Sequence, residues 1–425
     1  MSFFNIATQE KLFNEYLTPG VEKEIAAVSK LWANIRKDWK KTDSQGKYAR
    51  QRVMTAAAQS TRAGSTAAYP TPQQSTPNEI ILKIKRAQMF SLAFDGLALE
   101  AARAKGAEVP PIEFEKDGII MAMADDLSRQ LMLDGSGRLC RLNGGVDAAT
   151  TCTVDSAFYA DATKFLKPGR VLEFDPGDGT DTKKLDSAGN PLAVSSITSS
   201  VEFELAVAPA VIGGDDLPDD YYLYNDIIIT TDNDLAGVGE MMGIDGIARD
   251  TDPPHPHDLG LQGLAVATNP TWKGVHYALG GVDITEDMFL KILNVITPYA
   301  MPDVALCSEG VYREYYKLLS SYKSLPNVKK LWGGFTGRVF DYNGKEIPVV
   351  SDKFVPDGSI YFNPNSKLTL HTITPGIITW ERVGGEILQK IAGMNQYAAE
   401  GHIFANLGVS LRRAFGKLSG INEPA

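Results

Sequence analysis

The stretch FEKDGIIMAMADDLSRQLMLDGSG, residues 114–137, is where the order of the whole chain becomes readable. Ile120, Met123, Leu127 and Leu131 recur at spacings of three and four, which puts them on one helical face. Gly135 can end the helix, because glycine accepts the left-handed turn that closes a helix C-terminus. The pattern predicts a long spine helix over 116–134.

Downstream the period changes. From Thr150 to about Asp226, GRVLEF (169–174), AVSSITSS (193–200), VEFELAV (201–207) and YYLYNDIIIT (221–230) read as strands separated by Gly, Pro and Asp. They predict a small sheet or barrel of their own. Residues 233–280 are loop-rich, and long loops in a compact protein carry contacts or function. In DITEDMFLKILNVITPYAMP (283–302), Thr285 is placed to cap a helix with Phe289, Ile292, Leu293 and Ile296 inward. A strand, DVALCS (303–308), feeds a second helix, EGVYREYYKLLSS (309–321), with Ser308 as its cap. GKEIPVVSD (344–352), GSIYFNP (358–364), SKLTLHTI (366–373) and IITWERV (377–383) follow as strands, and the chain closes in HIFANLGVSLRRAFGKL (402–418).

Upstream, GVEKEIAAVSKLWANIRKDWKK (20–41) places Ile25, Val28, Leu31, Trp32, Ile35 and Trp39 on one helical face. LALEAARAKGAEVPP (97–111) reads as a short helix stopped by Gly106, Pro110 and Pro111. Between them KYARQRVMTA (47–56) and EIILKIKRAQMFSLAF (79–94) have the look of strands. They flank QSTRAGSTAAYPTPQQSTPNE (59–79), which offers almost nothing a core could bury. This reads as an arm with a polar tip.

The 425 residues, 44% apolar and 22% charged, are enough for two or three cores. No run reaches the roughly 18 apolar residues that span a bilayer, and Met1–Tyr16 lacks a secretory signal pattern; the expectation is a soluble, intracellular protein. Cys140, Cys152 and Cys307 are scattered and odd in number, which argues for buried small apolar groups rather than disulfides or zinc. The net charge of −10 is uneven: residues 1–100 carry 14 basic and 9 acidic side chains, residues 151–260 carry 6 and 21. An acidic middle segment could face a basic N-terminal region of a neighbouring copy, or be a solvated surface that only aids solubility.

Chemistry is thin. Of five histidines, His255 and His257 share DTDPPHPHD (250–258) with Asp250, Asp252 and Asp258, and a proline-stiffened surface loop is a better reading than a metal site. DPGDGTDTKKLD (175–186) fails as an EF-hand loop, with Gly177 and Gly179 where oxygen ligands belong. A looser Ca²⁺ site at Asp175, Asp178 and Asp181 is the minor reading beside a turn-rich hairpin. No Walker, GxGxxG, GxSxG or HExxH motif occurs, and WGGFTG (332–337) lacks the Lys-Ser/Thr of a phosphate loop. No catalytic, cofactor-binding or metal-binding residues are assigned.

The order of parts resembles a tailed-bacteriophage major capsid protein of the Hong Kong 97-type fold, over about Gly20–Leu418. Residues 114–137 are similar to the family's spine helix. KPGRVLEFDP (167–176), AVSSITSSVEFELAVAPAVI (193–212) and DDYYLYND (219–226) are similar to its small β insertion. EMMGIDGIARD (240–250), MPDVALCSEGVYREYYKLL (301–319) and GKEIPVVSDKFVPDGSIYFNP (344–364) are equally similar to family stretches.

The resemblance implies an α+β fold with an N-terminal helical arm (1–45) and an extended β-hairpin loop (46–95, tip 59–79). It further implies a peripheral domain with the spine helix (96–150), a β insertion (151–230), an axial α/β domain (231–375) and C-terminal strands returning to the peripheral domain (376–425). The 233–280 loops would lie near the five-fold and six-fold centres. Inter-subunit contacts would come from Trp32, Trp39, Arg52, Arg62, Ile80, Leu82, Lys83, Ile84, Lys85 and Arg86, the apolar ones packing on a neighbour. The implied role is a non-enzymatic head protein: pentamers and hexamers of an icosahedral shell, assembled in the host cytoplasm, enclosing double-stranded DNA without sequence-specific binding and without a membrane. Scaffolding, portal and decoration proteins are the further partners. The family's Lys–Asn cross-link has no residue-level match here. An encapsulin-like nanocompartment is the alternative in the same fold, and an Asp-rich β hydrolase or binding protein the alternative outside it.

Overall fold

The structure, a computed structural model, describes residues 23, 26–38, 48–56, 76–83, 87–95, 111–146, 149–155, 158–175, 192–209, 217, 219–225, 240–253, 260–321, 328–330, 336–373, 378–382, 387–391, 393 and 395–423. Residues 97–110 of the expected short helix, the arm tip at 59–75, the acidic loop from Pro176 and the His255/His257 pair lie outside the described residues.

Along the chain, a short strand β1 (Arg36–Asp38) precedes β2 (Tyr48–Ala56), β3 (Thr76–Lys83) and β4 (Ala87–Asp95). Helix α1 (Pro111–Met132) begins on a proline, which lacks only an N–H that a first turn leaves unpaired anyway. Gly135, at φ +76°, turns the chain out of it. Strands β5 (Arg138–Leu142), β6 (Thr151–Asp155), β7 (Val171–Asp175), β8 (Leu192–Ser199), β9 (Glu202–Leu205) and β10 (Tyr222–Asn225) close into a barrel. Its interior holds Leu139, Cys152, Phe174, Phe203 and Leu223. The barrel therefore starts at Arg138, earlier than the boundary of 151 expected from sequence, because β5 pairs with β10 some 80 residues on, a partner that local pattern does not reveal.

A buried turn of helix α2 (Ile244–Ala248) leads to β11 (Val275–Val282), α3 (Glu286–Ile296), β12 (Val304–Cys307) and α4 (Glu309–Ser321). Next come β13 (Val328–Lys330), β14 (Thr336–Tyr342), β15 (Lys345–Ser351), β16 (Ile360–Asn363), β17 (Leu368–Thr372), β18 (Ile378–Trp380), β19 (Leu388–Lys390), β20 (Gln396–Val409) and β21 (Gly416–Ile421). Seven strands form one sheet in the order β11-β21-β16-β12-β15-β14-β13. Alternate residues of its central strands feed two cores: Val304, Leu306, Val350 and Tyr361 on one face, Ala305, Cys307, Val349 and Phe362 on the other. A strand covered on both faces needs an unbroken apolar run, which is why VALC has no polar member. Helices α3 and α4 cover the second face, where Phe289 meets Tyr315, Phe340 and Phe362 at centroid distances of 5.1–5.5 Å. Ser308 accepts from the Val311 N–H at 3.4 Å as a cap for α4; Thr285 stands at the N-cap of α3 but makes no side-chain cap bond.

The first face packs on α1, α2, the hairpin root and a six-stranded sheet built on β20. β20 pairs with β17 along its C-terminal half and with β4, β18 and β19 along the rest. Three expectations change here. Residues 32–38 form a 3-10 turn and a strand rather than a helix to Trp39, because β1 takes the free parallel edge of β17 and that pairing outweighs helical periodicity. β4 leaves the hairpin for β20, and β17 sits in the six-stranded sheet rather than in the α/β unit. The last strand, β21, crosses back to lie between β11 and β16 of the seven-stranded sheet.

Candidate functional site: the hairpin and the charged junction

β2 and β3 pair antiparallel over eight register positions, Tyr48 opposite Lys83 and Arg52 opposite Glu79. One face is apolar: Ala49, Val53, Ile80 and Leu82 are buried against the chain's own core. The other presents Arg50, Arg52, Glu79 and Ile81, with Arg50 3.6 Å from Glu79. The Ile81 N–H donates to the Gln262 carbonyl at 3.1 Å, and Asn78 donates to Asn269 Oδ1 at 2.9 Å, so the hairpin root is fastened within one chain.

Of the expected contact residues, Trp32, Ile80 and Leu82 are 1%, 0% and 1% exposed in a single copy, packed within the chain. Arg52 is exposed on the outer face; Lys83 ends β3 in register with Tyr48; Trp39, Arg62, Ile84, Lys85 and Arg86 lie outside the described residues.

Between α1, the barrel's entry and the segment 240–249 runs a set of buried ion pairs that sequence reading missed. Arg129 on α1 donates to Asp126 at 3.0 Å and to Glu240, and Arg170 at the barrel's entry reaches the same Asp126 oxygen at 3.0 Å. Burial alone would raise the Asp126 carboxyl, but Arg129 and Arg170 hold it below the usual carboxylate range. Asp245 on α2 accepts from Tyr361 of β16, Lys417 of β21 and Arg249, the last at 2.7 Å; Arg249 also reaches Asp134 at 3.2 Å. Burial again opposes the Asp245 charge, and Lys417 and Arg249 overcome it, leaving the carboxyl well below its ordinary value.

Arg412 is fully buried and donates to five carbonyls, those of Gly246, Ile247, Arg249, Thr251 and Trp272, at 2.7–3.3 Å. The segment 240–249, part of the stretch 233–280 expected to be loop-rich, is thus a buried hub joining spine helix, barrel and both sheets. Its signal in the sequence was compositional: two glycines, an acid and an arginine packed into GIDGIAR, with another arginine pair in SLRRAF.

No family model and no curated protein matches the chain. Among solved structures, the capsid of cyanophage A-1(L) aligns over 95% of this chain and 93% of that chain, with a TM-score of 0.53 and 11% identity. The chain has the fold of a phage capsid protein. Mycobacterium phage Bobi (TM-score 0.43, 9% identity, 92% and 90% covered) and a holo-encapsulin complex from Synechococcus elongatus (0.40, 10%, 82% and 78%) align more loosely.

Within this capsid fold the described residues are poor in reactive chemistry. They contain no group of three His, Cys, Asp or Glu placed to hold a metal ion. Cys140, Cys152 and Cys307 are buried thiols without disulfides, and burial pushes Cys152 up to about 12. Among the described residues no helix is long and apolar enough to cross a membrane.

Proposed function

We propose that the protein is the major head protein of a tailed double-stranded DNA bacteriophage. Its copies assemble into pentamers and hexamers of an icosahedral shell around the genome. One observation carries this reading: the likeness to a phage capsid runs over 95% of this chain and 93% of that one.

In such a shell each copy makes heterologous contacts that repeat around five-fold and six-fold positions. The β2–β3 arm would reach over a neighbour by its outer face, through Arg50, Arg52 and Ile81, and by the tip and return segment that contain Arg62, Lys83, Ile84, Lys85 and Arg86. An acidic subunit suits a container, since a strongly basic inner wall would hold packaged DNA by counterion release. Scaffolding, portal and decoration proteins are the expected partners, assembly takes place in the host cytoplasm, and the role needs no catalysis. A nanocompartment shell shares the fold; the long arm and the inserted barrel favour the phage head.

Deleting residues 61–75, which lie between β2 and β3, tests the arm. The subunit is expected to keep its circular dichroism spectrum and thermal midpoint and to stop forming shells. Shells of unchanged size and yield after the deletion would overturn the arm's role.

A further inference from the structure

β11 and β21 pair in parallel, with His276 opposite Lys417 and Ala278 opposite Ser419. Val275, Tyr277, Leu279 and Leu418 pack in the core beneath α3, and strand alternation sends His276, Lys417 and Ser419 to the other face of the sheet. There Lys417 is taken by Asp245. His276 Nε2 lies 2.8 Å from the Ser419 hydroxyl oxygen, and Asp250 Oδ1 lies 3.6 Å from Nδ1 of the same ring. Asp250 follows directly on the hub, whose end is fixed against the start of β11. The Gly274 N–H donates to the Arg249 carbonyl at 2.8 Å, and a Cβ on Gly274 would lie 2.4–2.8 Å from backbone atoms of Ala248.

The surroundings are open. His276 and Ser419 are partly exposed, and β11 is an end strand that, among the described residues, pairs only with β21. The register breaks after Ala278, where Gly280 and Gly281, at φ +70° and +86°, bulge opposite Gly420. Nothing lies within 4 Å of a Cβ position on Gly280 or Gly281, and a Cβ on Gly420 would stand 3.0 Å from the Gly280 nitrogen. Bare backbone next to Ser419 can thus supply N–H donors to an oxygen that gains negative charge.

We propose that Asp250, His276 and Ser419 form an acyl-transfer site for small carboxylic esters, with Ser419 as nucleophile, His276 as general base and Asp250 as the residue that positions the imidazole. The site goes beyond the shell reading and does not depend on it. With the ring proton on Nδ1, toward Asp250, Nε2 accepts from the Ser419 hydroxyl. Burial and Lys417 lower the His276 pKa, outweighing the nearby Asp250 and Asp245 carboxylates, so the ring is neutral and able to take a proton at pH 7. Ser419 Oγ bonds to the ester carbonyl carbon as its proton passes to Nε2, and that proton leaves with the alcohol when the C–O bond breaks. Water then gives a proton to Nε2 and attacks the acyl carbon; Ser419 departs, regains that proton, and the carboxylic acid is released. The gap of 3.6 Å to Asp250 is longer than a hydrogen bond, as in catalytic contacts that tighten once substrate is bound.

The purified full-length chain, treated with an alkyl fluorophosphonate and separately with p-nitrophenyl acetate, tests this. Mass spectrometry is expected to find the phosphonyl group on Ser419, and S419A and H276Q are each expected to lower p-nitrophenol release by about a hundredfold or more. D250N is expected to slow release and to move the acid limb of its pH profile downward, since the lost anion had favoured the protonated ring. A folded, unmodified chain that takes no label at Ser419, or release that survives in S419A, would overturn the proposal. An unchanged rate and acid limb in D250N would overturn the part given to Asp250.

Discussion

Arg412 shows what one buried side chain holds together. Its guanidinium serves five carbonyls, four of them from residues 246–251, and although burial lowers it to about 10 it stays charged at neutral pH. A lysine there offers three donors without the planar fork, so at least two carbonyls would be left buried and unpaired. At about 1–3 kcal/mol for each orphaned group, Arg412→Lys is expected to destabilise the subunit by about 2–6 kcal/mol, read from denaturant midpoints. A change below about 0.5 kcal/mol, the scale of an ordinary surface substitution, would contradict this account of the knot.

Asp245 sets the acid limit. Its carboxyl is depressed in the folded state by Lys417 and Arg249 against the opposing effect of burial. A group whose folded value lies below its unfolded one contributes fully above the unfolded value, near 4 for an aspartate, and loses that contribution as pH falls toward the folded value. Stability is therefore expected to drop as pH falls below about 4. Asp245→Asn should cost about 3–5 kcal/mol at pH 7 by leaving two cations short of an anion, and should make the acid limb shallower. An acid limb of unchanged slope in that variant would assign the drop to other carboxylates.

Among the elements, the hub segment and α1 fit by contact rather than by pattern. A Cβ on Gly243 would lie 2.3–2.6 Å from the carbonyl oxygens of Gln130, Leu131 and Leu133. Its φ of −99° suits any residue, so the requirement is space alone. Backbone oxygens at a helix end cannot swing aside as a flexible side chain would, and Gly243→Ala is expected to cost roughly 2 kcal/mol or more as an overpacked site, measured by thermal melting. A melt like that of the unmodified chain would show that the hub can shift.

The same contrast explains which elements were legible. α3, β12 and α4 declare themselves, because Phe289, Ile292, Leu293 and Ile296 repeat at helical spacing beside a strand that is apolar throughout. The 240–249 hub carries no period; its burial comes from close glycine contacts and ion pairs with residues more than a hundred positions away. Trp32 misled for a related reason: its helical spacing with Leu31 and Ile35 is real and all three are buried, but β17 offers a backbone edge that Arg36–Asp38 takes instead. The hairpin strands were visible as alternating patterns, yet which face meets its own core depends on β20 and Gln262, neither of which is local.

For the whole molecule, the described residues form three apolar cores, one in the barrel and one on each face of the seven-stranded sheet, tied by Arg129, Asp245 and Arg412 into a connected frame. Such a frame would let contacts made at the arm act on one body. The central claim is that this body builds a closed shell, and the most direct measurement is electron microscopy of the purified unmodified chain. The account predicts closed shells, or rings of five and six copies where closure is incomplete. A uniform monomer or dimer that stays so at high concentration and under crowding would contradict it.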